Sequence, residues 1–192
     1  TMKINKLKSL AAALSLPAGS NMAHALMPWN DGPPDIVIYT SGGAAQDRAI
    51  DLAVVSSLVE PETDDWFSDK TSTGSIGSRW RAYYFVGKST LGGGLAGRKI
   101  VFEKRSYGTA GYGVVPLVGN DGRGISMEHF NIQGLPQTIW TADGAKRWVA
   151  SITGANASTY LAKVLSDAGF LGADPGILLK LGTESYQNKL RN

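Results

Sequence analysis

Three short turns hold the residues best suited to chemistry: Ser41-Gly42-Gly43, Ser106-Tyr107-Gly108-Thr109 and Ala173-Asp174-Pro175-Gly176. Glycine lets a ligand come close to backbone N–H groups, and the hydroxyls of Ser41, Ser106 and Thr109 add further donors. Donors of this kind suit a small oxyanion. Lys104 and Arg105 stand directly ahead of the second turn, where Arg105 faces either a cleft or solvent. The same residues also serve ordinary turn geometry and capping, and the local pattern leaves both readings open.

Other chemistries find less support. Phe85-Val86-Gly87-Lys88-Ser89-Thr90 ends like a phosphate-binding P-loop, but that loop needs a glycine five residues before Gly87, where Ala82 stands. The glycines of Gly108-Thr109-Ala110-Gly111-Tyr112-Gly113 show the dinucleotide spacing in reverse and lack an acidic partner on a following strand. Only His24 and His129 occur, so a Ser–His mechanism would rest on His129, expected to be a partly exposed, ordinary histidine. No nucleophile–base pair, cofactor motif or metal spacing stands out, and the expectation is a chain that is not an enzyme. Asp64-Asp65 is expected to solvate a loop. Trp80, Trp140 and Trp148 are expected in the core or an interface.

The elements that must position the turns follow from hydrophobic period. Asp35–Tyr39 (DIVIY) reads as a buried strand, and AAQDRAIDLAVVSSLVE after it is helical, with Ser41 as N-cap and Ala45, Ala49, Leu52, Ala53 and Ser56 on one face. Glu60–Gly77 reads as an exposed loop, Trp80–Val86 and Lys99–Glu103 as strands, and GVVPLV as a short helix or turn. Ile125–Ile132 is irregular or a weak strand. Ala142–Ile152 and Ala157–Ala168 read as helices with Trp148, Ile152, Tyr160, Leu161, Val164 and Leu165 as a buried stripe, and Gly169–Leu171 as a short strand. Strands alternating with helices predict an α/β fold, a mixed and mostly parallel sheet flanked by helices. Its turns would gather at the carboxyl ends of the strands, where such sheets bind ligands.

The first 25 residues form a separate unit. MKINKLK, then SLAAALSLPAG, then Ala23-His24-Ala25 has the layout of a secretory signal peptide cleaved after Ala25, with an amphipathic N-terminal helix as the other reading. The apolar stretch is too short to span a bilayer, and no membrane insertion is expected. Without Lys3, Lys6 and Lys8 the 19 Lys and Arg fall to 16, equal to the 16 Asp and Glu. The +3 net charge therefore gives no reason to expect a nucleic-acid partner. The absence of Cys removes disulfides and thiolate chemistry. Residues 26–192 are expected to form one domain, periplasmic or secreted.

With the three turns in family order, the chain resembles the periplasmic phosphate-binding proteins of ABC transporters, which have the type II binding-protein fold. IYTSGGAAQDRAIDLAV is similar to the family's first strand and turn, KRSYGTAGYGVVPLV to its second ligand loop, and DAGFLGADPGILL to the segment that supplies its acidic ligand residue. The resemblance spans Ile36 to Leu179, one lobe or a truncated form lacking the second lobe. It implies that Ser41 and Gly42, then Ser106, Gly108 and Thr109, contact a phosphate-like anion, and that Asp174 accepts a hydrogen bond from the proton that anion carries. It also implies a partner permease. Gly-Gly-Ala-Ala in the first turn and Ala173 before Asp174 depart from the family pattern and remove donors. The alternative is a structural or interaction domain that lost the ligand and self-associates through residues such as Trp66 and Tyr83.

Overall fold

A computed structural model describes residues 26–70, 76–107, 110–118, 124–132, 136–144 and 146–171. In chain order they form α1 (Pro28–Asp31), β1 (Ile36–Gly42), α2 (Asp47–Ala53), β2 (Asp65–Lys70), β3 (Ile76–Val86), β4 (Lys99–Ser106) and α3 (Val115–Val118). There follow β5 (Met127–Phe130), β6 (Thr141–Ala142), β7 (Arg147–Ser151), α4 (Ala157–Tyr160), β8 (Leu161–Val164) and β9 (Ala168–Phe170). Seven strands make one sheet in the order β6-β7-β2-β3-β4-β1-β9, and β5 pairs with β8 in a separate two-stranded sheet. The fold is mixed α/β: β2–β7, β4–β1 and β1–β9 run parallel, whereas β6–β7, β2–β3 and β3–β4 run antiparallel.

Strand alternation divides the core in two. Ile100 and Phe102 of β4 join Tyr83 and Phe85 of β3 on the face covered by α2, which contributes Ile50 and, just beyond its end, Val54. Val101, Ala82, Tyr84 and Phe67 point to the other face, where Phe130, Trp140 and Ile152 pack. α2 continues from Ala53 into one π-helical turn over Val54–Leu58.

β1, β4 and β9 are adjacent and parallel, with Gly42 opposite both Ser106 and Phe170. The expected strands before the three turns thus exist and end side by side. The edge is tight: a Cβ on Gly42 would come within 2.6 Å of the Phe170 carbonyl oxygen, and one on Gly169 would overlap the carbonyl of Gly113. These glycines are needed for chain-to-chain approach.

Several expectations are corrected. The expected loop at Glu60–Gly77 contains β2 and the start of β3. Its aspartates are buried because each has a partner: Asp64 takes Lys146 Nζ at 3.1 Å, Asp65 takes Trp148 Nε1 at 3.0 Å, and Asp69 takes Arg79 Nε at 3.1 Å and the N–H groups of Arg79 and Trp80. Ala142–Ile152 is β6 and β7, because Gly144 turns the chain at φ 109 and Arg147–Ser151 pairs along β2. Ala157–Ala168 makes one helical turn and then β8, where pairing with β5 overrides helical period. Ser41 lies inside β1 and caps nothing, since α2 starts only at Asp47. The face of α2 is also different: Asp47, Ile50 and Val54 are buried, while Ala49, Leu52 and Ala53 are exposed. Tyr83 is 1 % exposed, with its hydroxyl on Asp51 and its ring stacked on Trp66, and cannot serve an interface. Residues 1–25, Gly108, Thr109 and Asp174 lie outside the described residues.

Candidate functional site

The end of β4 reads Glu103-Lys104-Arg105-Ser106, and all four are buried. A strand sends alternate side chains to opposite faces, so Lys104 and Ser106 go to the α2 side and Glu103 and Arg105 to the β5–β8 side. Burial on both faces obliges each charge to find a partner or lose its charge.

On the α2 side the partner is the protein's own carboxylate. Asp47 accepts from Lys104 Nζ at 2.6 Å and from Ser106 Oγ at 2.7 Å, with Arg81 Nε 3.5 Å from its second oxygen. Arg81 also holds Asp51 at 2.5 Å, and Lys104 reaches the Gly43 carbonyl at 3.2 Å. Burial pulls the Lys104 pKa below its usual value, against the pull of Asp47. Ser106, expected to contact a ligand, is committed to this internal anion.

On the other face stand Tyr39, Ser41, Glu103, Arg105 and, from β5, His129. Ser41 pairs with Arg105 in the β1–β4 register. Its Oγ has no hydrogen-bond partner among the described residues, and the residue is fully buried. Glu103 Oε2 lies 3.5 Å from His129 Nδ1, and the Tyr39 ring packs on the imidazole at 5.1 Å. His129 is 1 % exposed, which corrects the expected exposed position. Burial, aided by the Arg105 charge, draws its pKa down to about 4, and burial pushes the Glu103 carboxyl well above its usual range. Both shifts favour the uncharged form of each partner.

Arg105 is fixed more rigidly than a surface arginine. Its Nη1 donates to the carbonyls of Arg79 and Ser106, both at 3.0 Å. Its guanidinium lies 4.4 Å from the Trp80 ring centroid and 5.0 Å from that of Tyr107, and Arg79 approaches the same Trp80 ring at 4.4 Å. Arg105 is 6 % exposed, and its buried Nε has no hydrogen-bond partner among the described residues. Burial lowers its pKa, opposed by Glu128, but a guanidinium stays protonated.

This guanidinium lines an open cavity of about 260 Å³ together with Tyr107, Ser126, Met127, Glu128 and Lys163. The cavity lies where the end of β4 meets β5 and β8. Trp80 Nε1 ties β5 in place through the Glu128 carbonyl at 2.8 Å, and Glu128 sits directly opposite Lys163 across the β5–β8 pair. Among the described residues no three His, Cys, Asp or Glu converge as a metal ion would require.

Of the residues singled out from sequence, Ser41 and Arg105 share a face and a register, Ser106 turns to the opposite face, and Gly42 serves packing against β9. Sequence reasoning missed Asp47, Lys104, Glu103, Tyr107, Glu128 and Lys163. The signal for Glu103 and Lys104 was the alternation in KIVFEKRS, legible once the strand is carried to Ser106. Compared with protein-family models, with curated proteins and with solved structures, the chain matches none.

Proposed function

We propose that this chain is a non-catalytic, exported domain of the type II solute-binding kind that holds a small oxyanion at Arg105. The observation that carries the reading is a cation 6 % exposed, with a free Nε among the described residues, in the wall of a cavity at the carboxyl end of a parallel strand pair. A guanidinium buried this far keeps its charge at a cost, and an anion in the cavity would offset that cost with a charge-assisted bond. Lys104, by contrast, already has its anion in Asp47. The carboxyl ends of β4, β1 and β9, which lie side by side and parallel, support the same placement. A Ser–His hydrolase fits poorly, because Ser41 and His129 are closed to solvent.

The test is the Arg105 Nε–H resonance in a 15N-labelled chain titrated with phosphate, sulfate and acetate. At least one anion should shift it, and no other resonance pattern of binding should survive in Arg105→Gln. An Nε–H signal that no oxyanion moves at tens of millimolar would end the proposal.

A further inference from the structure

We infer, resting on the anion reading of this cavity, that its ligand is a carboxylate carried on a flat aromatic ring. The cavity is too large for an inorganic ion alone. Its roughly 260 Å³ is many times the space one water needs, whereas an inorganic oxyanion has only about five heavy atoms. The remaining space needs an organic body.

The walls specify that body. Tyr107 is 49 % exposed although its ring is held on two sides, by Arg105 at 5.0 Å and by Tyr112 edge-on at 4.8 Å and 80°. Its backbone N–H is tied to the Gly42 carbonyl at 3.0 Å. An aromatic residue so anchored and still half open presents a preformed surface for another ring, at little ordering cost. Met127 supplies a second wall whose thioether is soft and accommodates rings well.

The charge of the site points to a monoanion. The lining carries two cations, Arg105 and Lys163, and one carboxylate, Glu128, a net charge of +1. With Nη1 held by two carbonyls and the ring of Trp80 stacked against it, the guanidinium is held in a fixed plane at the cavity wall. The arginine fork accepts carboxylates and phosphates alike, so it is the single net positive charge that favours a monoanionic carboxylate over a dianion.

Benzoate, acetate and inorganic phosphate are titrated against the wild-type chain, Arg105→Gln and Tyr107→Ala, with affinity read by calorimetry and by the Arg105 Nε–H shift. Benzoate should bind about tenfold more tightly than acetate, from ring contact and burial, and phosphate should bind no better than acetate. In Tyr107→Ala the benzoate-to-acetate ratio should fall towards one, and in Arg105→Gln benzoate binding should be lost. Equal affinities in the wild type, or a ratio that Tyr107→Ala leaves unchanged, would overturn the aromatic ligand and leave the anion site standing. Phosphate binding best would overturn the carboxylate, and no Nε–H shift with any anion would overturn both.

Discussion

Replacing Glu103 by glutamine should expose a pH dependence that the native chain conceals. The folded Glu103–His129 pair holds one proton over a wide range, because His129 resists protonation down to about 4 and Glu103 keeps its proton well above the usual carboxylate range. In the unfolded chain the two groups return to their ordinary values, 4.5 and 6.5. Between those values the unfolded pair also holds one proton, on the histidine. Equal proton numbers in the two states mean no slope of stability with pH from this pair. In Glu103→Gln only His129 remains, and burial and Arg105, which depress it, are both still present. Below pH 6.5 the unfolded state then binds a proton that the folded state refuses, so stability falls on acidification. The slope approaches about 1.4 kcal/mol per pH unit and accumulates to roughly 3 kcal/mol as pH drops from 6.5 to about 4. His129→Phe, which keeps a ring against Tyr39, leaves Glu103 instead. There the unfolded state gives up its proton above 4.5 while the folded state keeps it, so stability falls as pH rises. Urea unfolding followed by fluorescence of the five tryptophans, each variant measured relative to wild type, cancels contributions common to all, such as that of Asp65, raised to about 6 by burial. A flat difference for Glu103→Gln between pH 6.5 and 4.5, or slopes of the same sign in both variants, would refute the neutral-pair reasoning.

Two further perturbations test the framework of the site. Asp47→Ala removes the anion from a fully buried Lys104 and should cost about 3–5 kcal/mol, whereas Asp47→Ala combined with Lys104→Met should cost less than the sum of the two single changes. The double-mutant cycle from urea midpoints reads this, and a coupling below about 0.5 kcal/mol would show that Asp47 is not the internal anion described. Gly169→Ala places a methyl group on the Gly113 carbonyl and should detach β9 or prevent folding, while Gly92→Ala, with open space around it, should stay within about 0.5 kcal/mol. Circular dichroism melts compare them, and equal melting temperatures would contradict the close approach of β9.

Much of the sheet was legible from local pattern. Ile36–Tyr39, Trp80–Val86 and Ile100–Glu103 carry apolar or aromatic runs that few environments other than a buried strand can absorb, and the short strand at Gly169 was read from its flanking turn. Apolar runs fail as guides where burial is carried by charged residues. Asp64-Asp65-Trp66-Phe67-Ser68-Asp69 looks like a polar loop because Lys146 and Trp148, which satisfy Asp64 and Asp65, lie far along the chain. Leu161–Val164 has helical spacing, yet its hydrogen bonds go to β5. Helical period is a local signal, and the strand partner that overrides it is not.

The sequence by itself determined the mixed α/β class and three strands leading into small-residue turns, because hydrophobic period and turn chemistry act over a few neighbouring residues. It also placed a cation at the entrance to the second turn. Only the tertiary structure decided which cation has an internal partner. Lys104 and Arg105 are adjacent and alike in charge, but alternation sends one towards Asp47 and the other towards β5, Tyr107 and an open cavity. What each face meets depends on the packing of α2 and of the β5–β8 pair, contacts between distant segments that no local pattern encodes.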